Sequence, residues 1–282
     1  MEIKVIAILA NPRAGRGSSL HFTKWLCDQL FAKQMQYTLF PDTWPNNFQD
    51  YTDVWIIGGD GTLNFFINQY PYCKLPLVIF KAGTGNDFAW KLYGNLTNEA
   101  IFKKVINANP RWVDAAKCND HLYINCMGIG FDGEILSSMD AIRFLGGNLG
   151  YLVAVMLKIF SFKEKRIKIS SEHKSWEDDY LLVVVNNSSR AGGGFYITPT
   201  AQIDDGKLNL LLCKKLSIIQ RLWYLPILKK GKHTSLPFVT QYEGPSFTIH
   251  TTEKMPVQLD GELIFAKDIM IQVCPNKFCF RF

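Results

Sequence analysis

Two stretches of this sequence combine residue types that could do chemistry. The first is Gly58-Gly59-Asp60-Gly61-Thr62, with Asn64 close behind. Glycines let a backbone turn sharply and leave no side chain above it, so a bulky anion can touch the main chain. A helix starting next would aim its free N–H groups at that anion, and phosphate is the obvious candidate. The loop is neither a Walker-type loop, since no Gly-Lys-Ser/Thr follows, nor a GxGxxG turn. Asp60 stands in its middle, and a carboxylate beside phosphates is repulsive unless a cation bridges them or it takes a proton. A purely structural strand–helix turn is the alternative. Similar turns occur at Asn11-Pro12-Arg13-Ala14-Gly15-Arg16-Gly17 and at Gly83-Thr84-Gly85-Asn86-Asp87. Arg13, Arg16 and Lys81 could neutralise phosphate or simply be solvated. The second stretch is Asp260-Gly261-Glu262, whose carboxylates could both face a cleft from one turn. Asp-Gly is also an ordinary hairpin turn.

These residues need elements to hold them. Apolar runs at 3–9, 54–57 and 75–80 each lead into one of the glycine turns, and helical patterns follow at 19–32, through Leu63, Phe66 and Ile67, and at 88–93. With a short strand at 37–40 and a helix at 98–106, they describe an open, mostly parallel α/β layer. Ligands in such layers sit beyond the carboxyl ends of the strands, so the three turns are expected around one crevice. After Asn109-Pro110 the texture changes. Strand-like runs at 112–113, 122–127, 166–169, 180–185, 195–197, 208–213, 246–250, 257–259 and 269–273 predict a mostly antiparallel sandwich or barrel. Helical segments at 133–161 and 217–229 interrupt it. The expected domains are 1–113, with 265–282 free to rejoin it, and 114–264.

A hydrophobic content of 48% against 20% charged residues supports a full core rather than disorder. The net charge of +6 comes without any dense Lys/Arg block, so it suits a nucleotide or an anionic membrane surface and gives no case for nucleic acid. Seven cysteines without a CxxC pair point to a reducing compartment. The apolar segment at 3–10 lacks a cleavage site, and that at 151–160 is short and contains Lys158. A soluble cytoplasmic protein is expected, with peripheral contact at the inner face of the membrane left open.

Taken in order, the motifs resemble the bacterial diacylglycerol-kinase-like lipid kinases, relatives of sphingosine and ceramide kinases. Asn11-Pro12 with Gly15 and Gly17 resembles the family's first turn, GGDGTLN at 58–64 its signature loop, and GTGNDFA at 83–89 its third turn. Asn125, Gly128, Gly130, Phe131 and Asp132 resemble its NxxGxGFD segment. Gly192–Gly194, Pro199, Ala201 and Asp205-Gly206 with Leu208 resemble a later block, followed by Gly231-Lys232-His233 and the terminal Asp260-Gly261-Glu262. The likeness covers nearly the whole chain. One departure is Phe65, where the family usually carries an acid. A nucleotide-contacting threonine could be Thr38 or Thr43.

The resemblance implies an α/β N-terminal domain, an antiparallel β-sandwich C-terminal domain, ATP in the interdomain cleft, and phosphoryl transfer to a lipid hydroxyl with magnesium. It implies nucleotide binding by Asn11, Gly58, Gly59, Asp60, Gly61, Thr62, Asn64, Gly83, Thr84, Asn86 and Asp87. It assigns Asp60, Asp87 and Asp114 to a magnesium network, often through water, and a structural magnesium to Asp205 with main-chain carbonyls at Gln202 and Lys207. By the same analogy Asp260 takes the proton of the lipid hydroxyl and Glu262 assists. The lipid would meet the apolar stretches at 142–162 and 216–228, the second flanked by lysines; an ordinary core helix is the alternative. The rival readings are an NAD kinase-like enzyme and a nucleotide-binding regulator without catalysis. The lipid acceptor and the oligomeric state, a homodimer included, stay open.

Overall fold

The computed structural model describes residues 4–12, 14–139 and 147–282. The chain forms two compact units, one of residues up to Val113 together with Asn276–Phe282, the other Asp114–Pro275.

The first unit is built from β1 (Val5–Ala10), α1 (Ser18–Ala32), β2 (Gln36–Phe40), β3 (Asp53–Gly58), α2 (Asp60–Gln69), β4 (Pro76–Lys81), α3 (Asp87–Tyr93) and α4 (Asn98–Val105). β1, β3 and β4 are buried almost end to end, which is why they read as unbroken apolar runs. Their pairings are parallel in the order β2-β1-β3-β4. On the far side of β4 lies the end of the last strand, whose Cys279 and Phe280 register with Pro76 and Leu77. Arg281 secures this return: its guanidinium pairs with the fully buried Asp53 of β3 and donates to the carbonyl of Ala108.

The second unit comprises most of β5 (Pro110–Cys118), then β6 (His121–Tyr123), β7 (Cys126–Gly130), α5 (Phe131–Met139), α6 (Gly147–Ser161), β8 (Lys165–Ser170), β9 (Ser175–Asn186), β10 (Leu208–Lys214), α7 (Ile218–Lys229), β11 (Val239–Gly244), β12 (Ser246–Leu259) and most of β13 (Glu262–Arg281). β11-β10-β9-β7-β12-β13 pair antiparallel in that order, and β8 pairs with both β9 and β12. Val183 and Val185 face a core of Ile129, Leu210, Leu212, Phe247, Val257 and Leu259. Leu182, Val184 and Leu211 face the other way, toward the helices. Burial on both faces explains why 180–185 lacks the alternation of a half-buried strand.

The structure corrects several sequence boundaries. The run 122–127 is two strands, broken at Ile124-Asn125. The run 195–197 forms only the bridge between Ala191 and Phe195. Runs 246–250 and 257–259 are one strand with an irregularity between His250 and Met255, and 269–273 is the middle of the long β13. The polar strand β11 was not expected at all. The helical segment expected at 133–161 contains α5 and α6, and residues 140–146 between them lie outside the described residues, as do Ile3 and Arg13. Among the described residues no helix is long and apolar enough to cross a membrane.

Candidate active site

In the first unit the glycine turns are packed backbone on backbone. A Cβ at Gly83 would lie 2.5 Å from the Cα of Gly59, and one at Gly59 would lie 2.7 Å from the Cα of Gly83, so only glycine fits at both. A Cβ at Gly58 would meet the Thr62 side chain at 2.4 Å. The contact is reinforced where Ala82 donates to the carbonyl of Gly58. Asn86, in a left-handed conformation at φ 51°, accepts from the Gly83 N–H at 2.8 Å and donates back to the Gly83 carbonyl. The first turn joins through Asn11, whose amide donates to the Thr62 hydroxyl at 3.0 Å. The structure therefore brings Asn11, Gly58, Gly59, Thr62, Gly83 and Asn86 together.

Asp60 has a third solution to its charge, beyond the cation or the proton. Its two carboxylate oxygens accept the N–H groups of Asp87 and Phe88, each at 3.1 Å. It caps α3 from another element, where the helix dipole favours a negative charge. Burial still pushes its carboxyl above the ordinary value, against the pull of those amides. Asp87 is buried beside it and Thr84 is exposed at the turn. Asn64 is buried on α2, where its main-chain and side-chain oxygens accept from Asn68. Gly61 and Phe65 lie on the exposed side of the same helix, and the Phe65 ring meets Trp44 edge-on at 5.3 Å. The Lys81 ammonium donates to the carbonyls of Gly94 and Leu96, which gives this residue a structural role at the end of β4.

In the second unit Asp260 is part of the two-residue turn joining β12 to β13, at φ 50°, with Gly261 also left-handed. The hairpin reading is correct and incomplete. The buried Asp260 carboxylate also accepts three main-chain N–H groups, from Ile124 at 2.7 Å, Asn125 at 3.0 Å and Cys126 at 2.8 Å. The amides of Ile124 and Asn125, which lie between β6 and β7, turn to meet it, and the 122–127 run is split there. Glu262 is exposed at the start of β13. Asn187, which the sequence reading passed over, donates to the carbonyls of both Asp114 and Ile124 and so ties two candidate regions together. Its position just after the apolar run 180–185 was the available signal. The Asp114 carboxylate accepts the N–H of Gly206 at 2.7 Å, bringing it to the turn that carries Asp205.

Among the described residues no group of three or more His, Cys, Asp and Glu gathers as a metal cluster. The turn at 202–207 fits magnesium by its chemistry instead, because a carboxylate and main-chain carbonyls are hard oxygen donors. Gln202, Asp205 and Lys207 are all exposed there, and the Lys207 N–H holds the Asp205 carboxylate at 3.0 Å. Asp60 and Asp114 already accept main-chain amides, an arrangement suited to water-mediated contact with an ion.

Behind β9 and β10 lie two cavities of about 60 and 80 Å³, with shared walls at Phe131, Leu182, Leu225 and Leu228. Their linings are apolar except for a few groups. Asp132 lines the first; a Cβ at Gly128 would lie 2.2 Å from its carboxylate, which explains the glycine in that motif. His233 lines the second, buried, with Nε2 2.9 Å from the Ile197 carbonyl and Nδ1 without a hydrogen-bond partner. Burial lowers its pKa, which favours the neutral ring.

Burial pushes Asp132 from 3.8 up to about 6. Its folded value lies above the unfolded one, so its contribution to stability is full below the unfolded value and is lost as pH rises through about 6. Between about pH 4 and pH 7, wild type is therefore expected to lose about 2 kcal/mol relative to Asp132→Asn. Urea denaturation of both proteins across that range checks it; parallel stability curves would contradict it.

Comparison with known proteins adds the following. The diacylglycerol kinase catalytic domain matches residues 5–118, and the YegS C-terminal NAD kinase beta sandwich-like domain matches residues 125–279. A "Probable lipid kinase YegS-like" of Shewanella frigidimarina is 27% identical over 234 residues, covering 80% of this chain and 75% of that protein. A diacylglycerol kinase from Bacillus anthracis superposes with a TM-score of 0.75 at 22% identity, over 100% of this chain and 98% of that one. An NAD kinase from Archaeoglobus fulgidus in complex with ATP shares the fold more distantly, with a TM-score of 0.57 at 13% identity over 99% and 94% of the two chains. Since the two family models together span almost every element described above, the chain belongs to the diacylglycerol kinase catalytic-domain family, with the YegS-type sandwich as its C-terminal domain.

Proposed function

We propose that this protein is an ATP- and magnesium-dependent lipid kinase that phosphorylates a hydroxyl of diacylglycerol or a similar lipid alcohol. The observation that carries the acceptor class is the pair of adjoining apolar cavities in the second unit. Walls of Leu, Ile, Val and Phe suit an acyl chain and reject a dinucleotide, which needs many polar partners. This favours the reading over that of an NAD kinase sharing the fold.

The chemistry follows from the groups in place. Main-chain N–H groups of the paired glycine turns bind the phosphates of ATP, and the Thr62 and Thr84 hydroxyls assist. The acceptor oxygen bonds to the γ-phosphorus while the bond from that phosphorus to the β–γ bridging oxygen breaks. The hydroxyl proton passes to Asp260, with Glu262 assisting, and ADP leaves. Magnesium, when bound through Asp60, Asp87 and Asp114, supplies charge neutralisation on the phosphates.

The test is transfer of label from γ-labelled ATP to a panel of diacylglycerol, other glycerolipids, a sphingoid base, a terpenoid alcohol and NAD, with and without chelator. Label should enter the lipid extract and disappear when magnesium is removed. Label in NAD would overturn the acceptor class, and no transfer to any acceptor would favour the non-catalytic regulator.

A further inference from the structure

One buried polar atom in the second unit, Nδ1 of His233, has no hydrogen-bond partner. The residue follows α7 and is 3% exposed. Its Nε2 lies 2.9 Å from the Ile197 carbonyl, and a carbonyl can only accept, so Nε2 holds the ring proton. Nδ1 is then a lone-pair acceptor. The ring lines the second of the two cavities, with Leu181, Leu211, Leu236 and Phe238. A buried acceptor left unmet is costly, so this cavity calls for an occupant that brings a donor.

The surroundings narrow the chemistry of that donor. Water is poorly held in such a space, since it needs about two to four polar partners and these walls are chiefly leucine. The charged side chain on the wall, Arg221, is already engaged: it donates to the carbonyls of Leu216, Ile159 and Phe162 and pairs with Glu164 at 2.7 Å. An ammonium donor would be a new charge buried among apolar walls. A neutral hydroxyl on an apolar chain satisfies both the walls and the ring. Its place on the chain follows from the first cavity. Asp132 lines that cavity and hydrogen-bonds the Gln258 side chain, and Gln258 Oε1 accepts the N–H of Gly261 at 3.0 Å. The first cavity thus adjoins the turn of Asp260, whereas His233 lines only the second. We propose that His233 is a specificity-determining residue: its Nδ1 accepts a hydrogen bond from a hydroxyl carried part-way along the chain of the acceptor lipid, remote from the hydroxyl that is phosphorylated. The inference rests on the lipid-kinase reading for the identity of the occupant and narrows the acceptor to lipids with a hydroxylated chain.

The test begins with a matched pair of small probes, n-hexanol and its isomer methyl pentyl ether, of which only the alcohol has a donor. In calorimetry the full-length wild type should bind the alcohol about fivefold more tightly, and His233→Leu should remove that preference. Only the alcohol should shift the His233 Nδ1 resonance in nitrogen-labelled histidine spectra. Equal wild-type affinity for the two probes, or a preference kept in His233→Leu, overturns the proposal, and the wild-type comparison decides it even if the variant does not fold. In the labelling assay a diacylglycerol with a mid-chain hydroxyl should show a kcat/KM about fivefold above its unhydroxylated counterpart, and this advantage should vanish in His233→Leu. Labelling that ignores the chain hydroxyl also overturns the proposal. If neither lipid is labelled while the alcohol still binds through His233, it is the kinase reading that fails and the donor site in the cavity stands.

Discussion

Asp260→Ala is expected to remove phosphoryl transfer and to destabilise the fold at once. The substitution strips the acceptor from three buried main-chain N–H groups at residues 124–126. Each orphaned donor costs about 1–3 kcal/mol, and alanine in a left-handed turn adds about 1 kcal/mol, so a loss of about 4 kcal/mol or more is expected in urea melts. Activity loss in this variant would therefore be ambiguous. Two further variants separate the roles. Asp260→Asn tolerates the left-handed turn and keeps one carbonyl oxygen for the amides, yet has lost the base, and its labelling rate should fall about 10²–10⁴-fold. Glu262 is exposed, so Glu262→Gln should shift stability by less than about 0.5 kcal/mol while slowing transfer about tenfold. If Asp260→Asn retains wild-type labelling, the base assignment fails and the residue is a staple only.

The second large effect is expected from Gly83→Ala. Its new Cβ would sit 2.5 Å from the Cα of Gly59 and 3.1 Å from Asn86 Oδ1. Two backbones cannot yield as the end of a flexible side chain can, so the loops must separate. Overpacking of this kind costs about 1–3 kcal/mol, and misplacing phosphate-binding groups by about 1 Å costs about 10² in rate. The signature is combined: weaker ATP binding by calorimetry, slower transfer, and only a moderate loss of stability. Wild-type ATP affinity in this variant would show that the two turns do not act together on the nucleotide.

The parallel sheet was legible because burial on both faces leaves an uninterrupted apolar run, and β1, β3 and β4 are such runs. The glycine turns were legible for a related reason: sterics at Gly59 and Gly83 exclude every other residue. The second unit was harder. β11 carries Thr240, Gln241 and Glu243, so nothing in its composition marks an edge strand. The break between β6 and β7 depends on Asp260, more than a hundred residues away, and no local pattern can announce a bond over that distance. The same limit hid the partners of Asp60. An acid in a glycine loop reads as a phosphate or metal problem until α3 is brought up to it. Lys81 shows the same limit from the other side, a basic residue beside a glycine turn whose ammonium donates to the distant carbonyls of Gly94 and Leu96.

The return of the last strand to β4 has a consequence for synthesis. Residues 276–282 complete the first unit, and Arg281 answers the buried charge of Asp53 laid down more than two hundred residues earlier. A nascent chain leaving the ribosome cannot finish its leading half until the trailing half has emerged. Until then the edge of β4 stays open and the Asp53 carboxylate lacks its guanidinium partner.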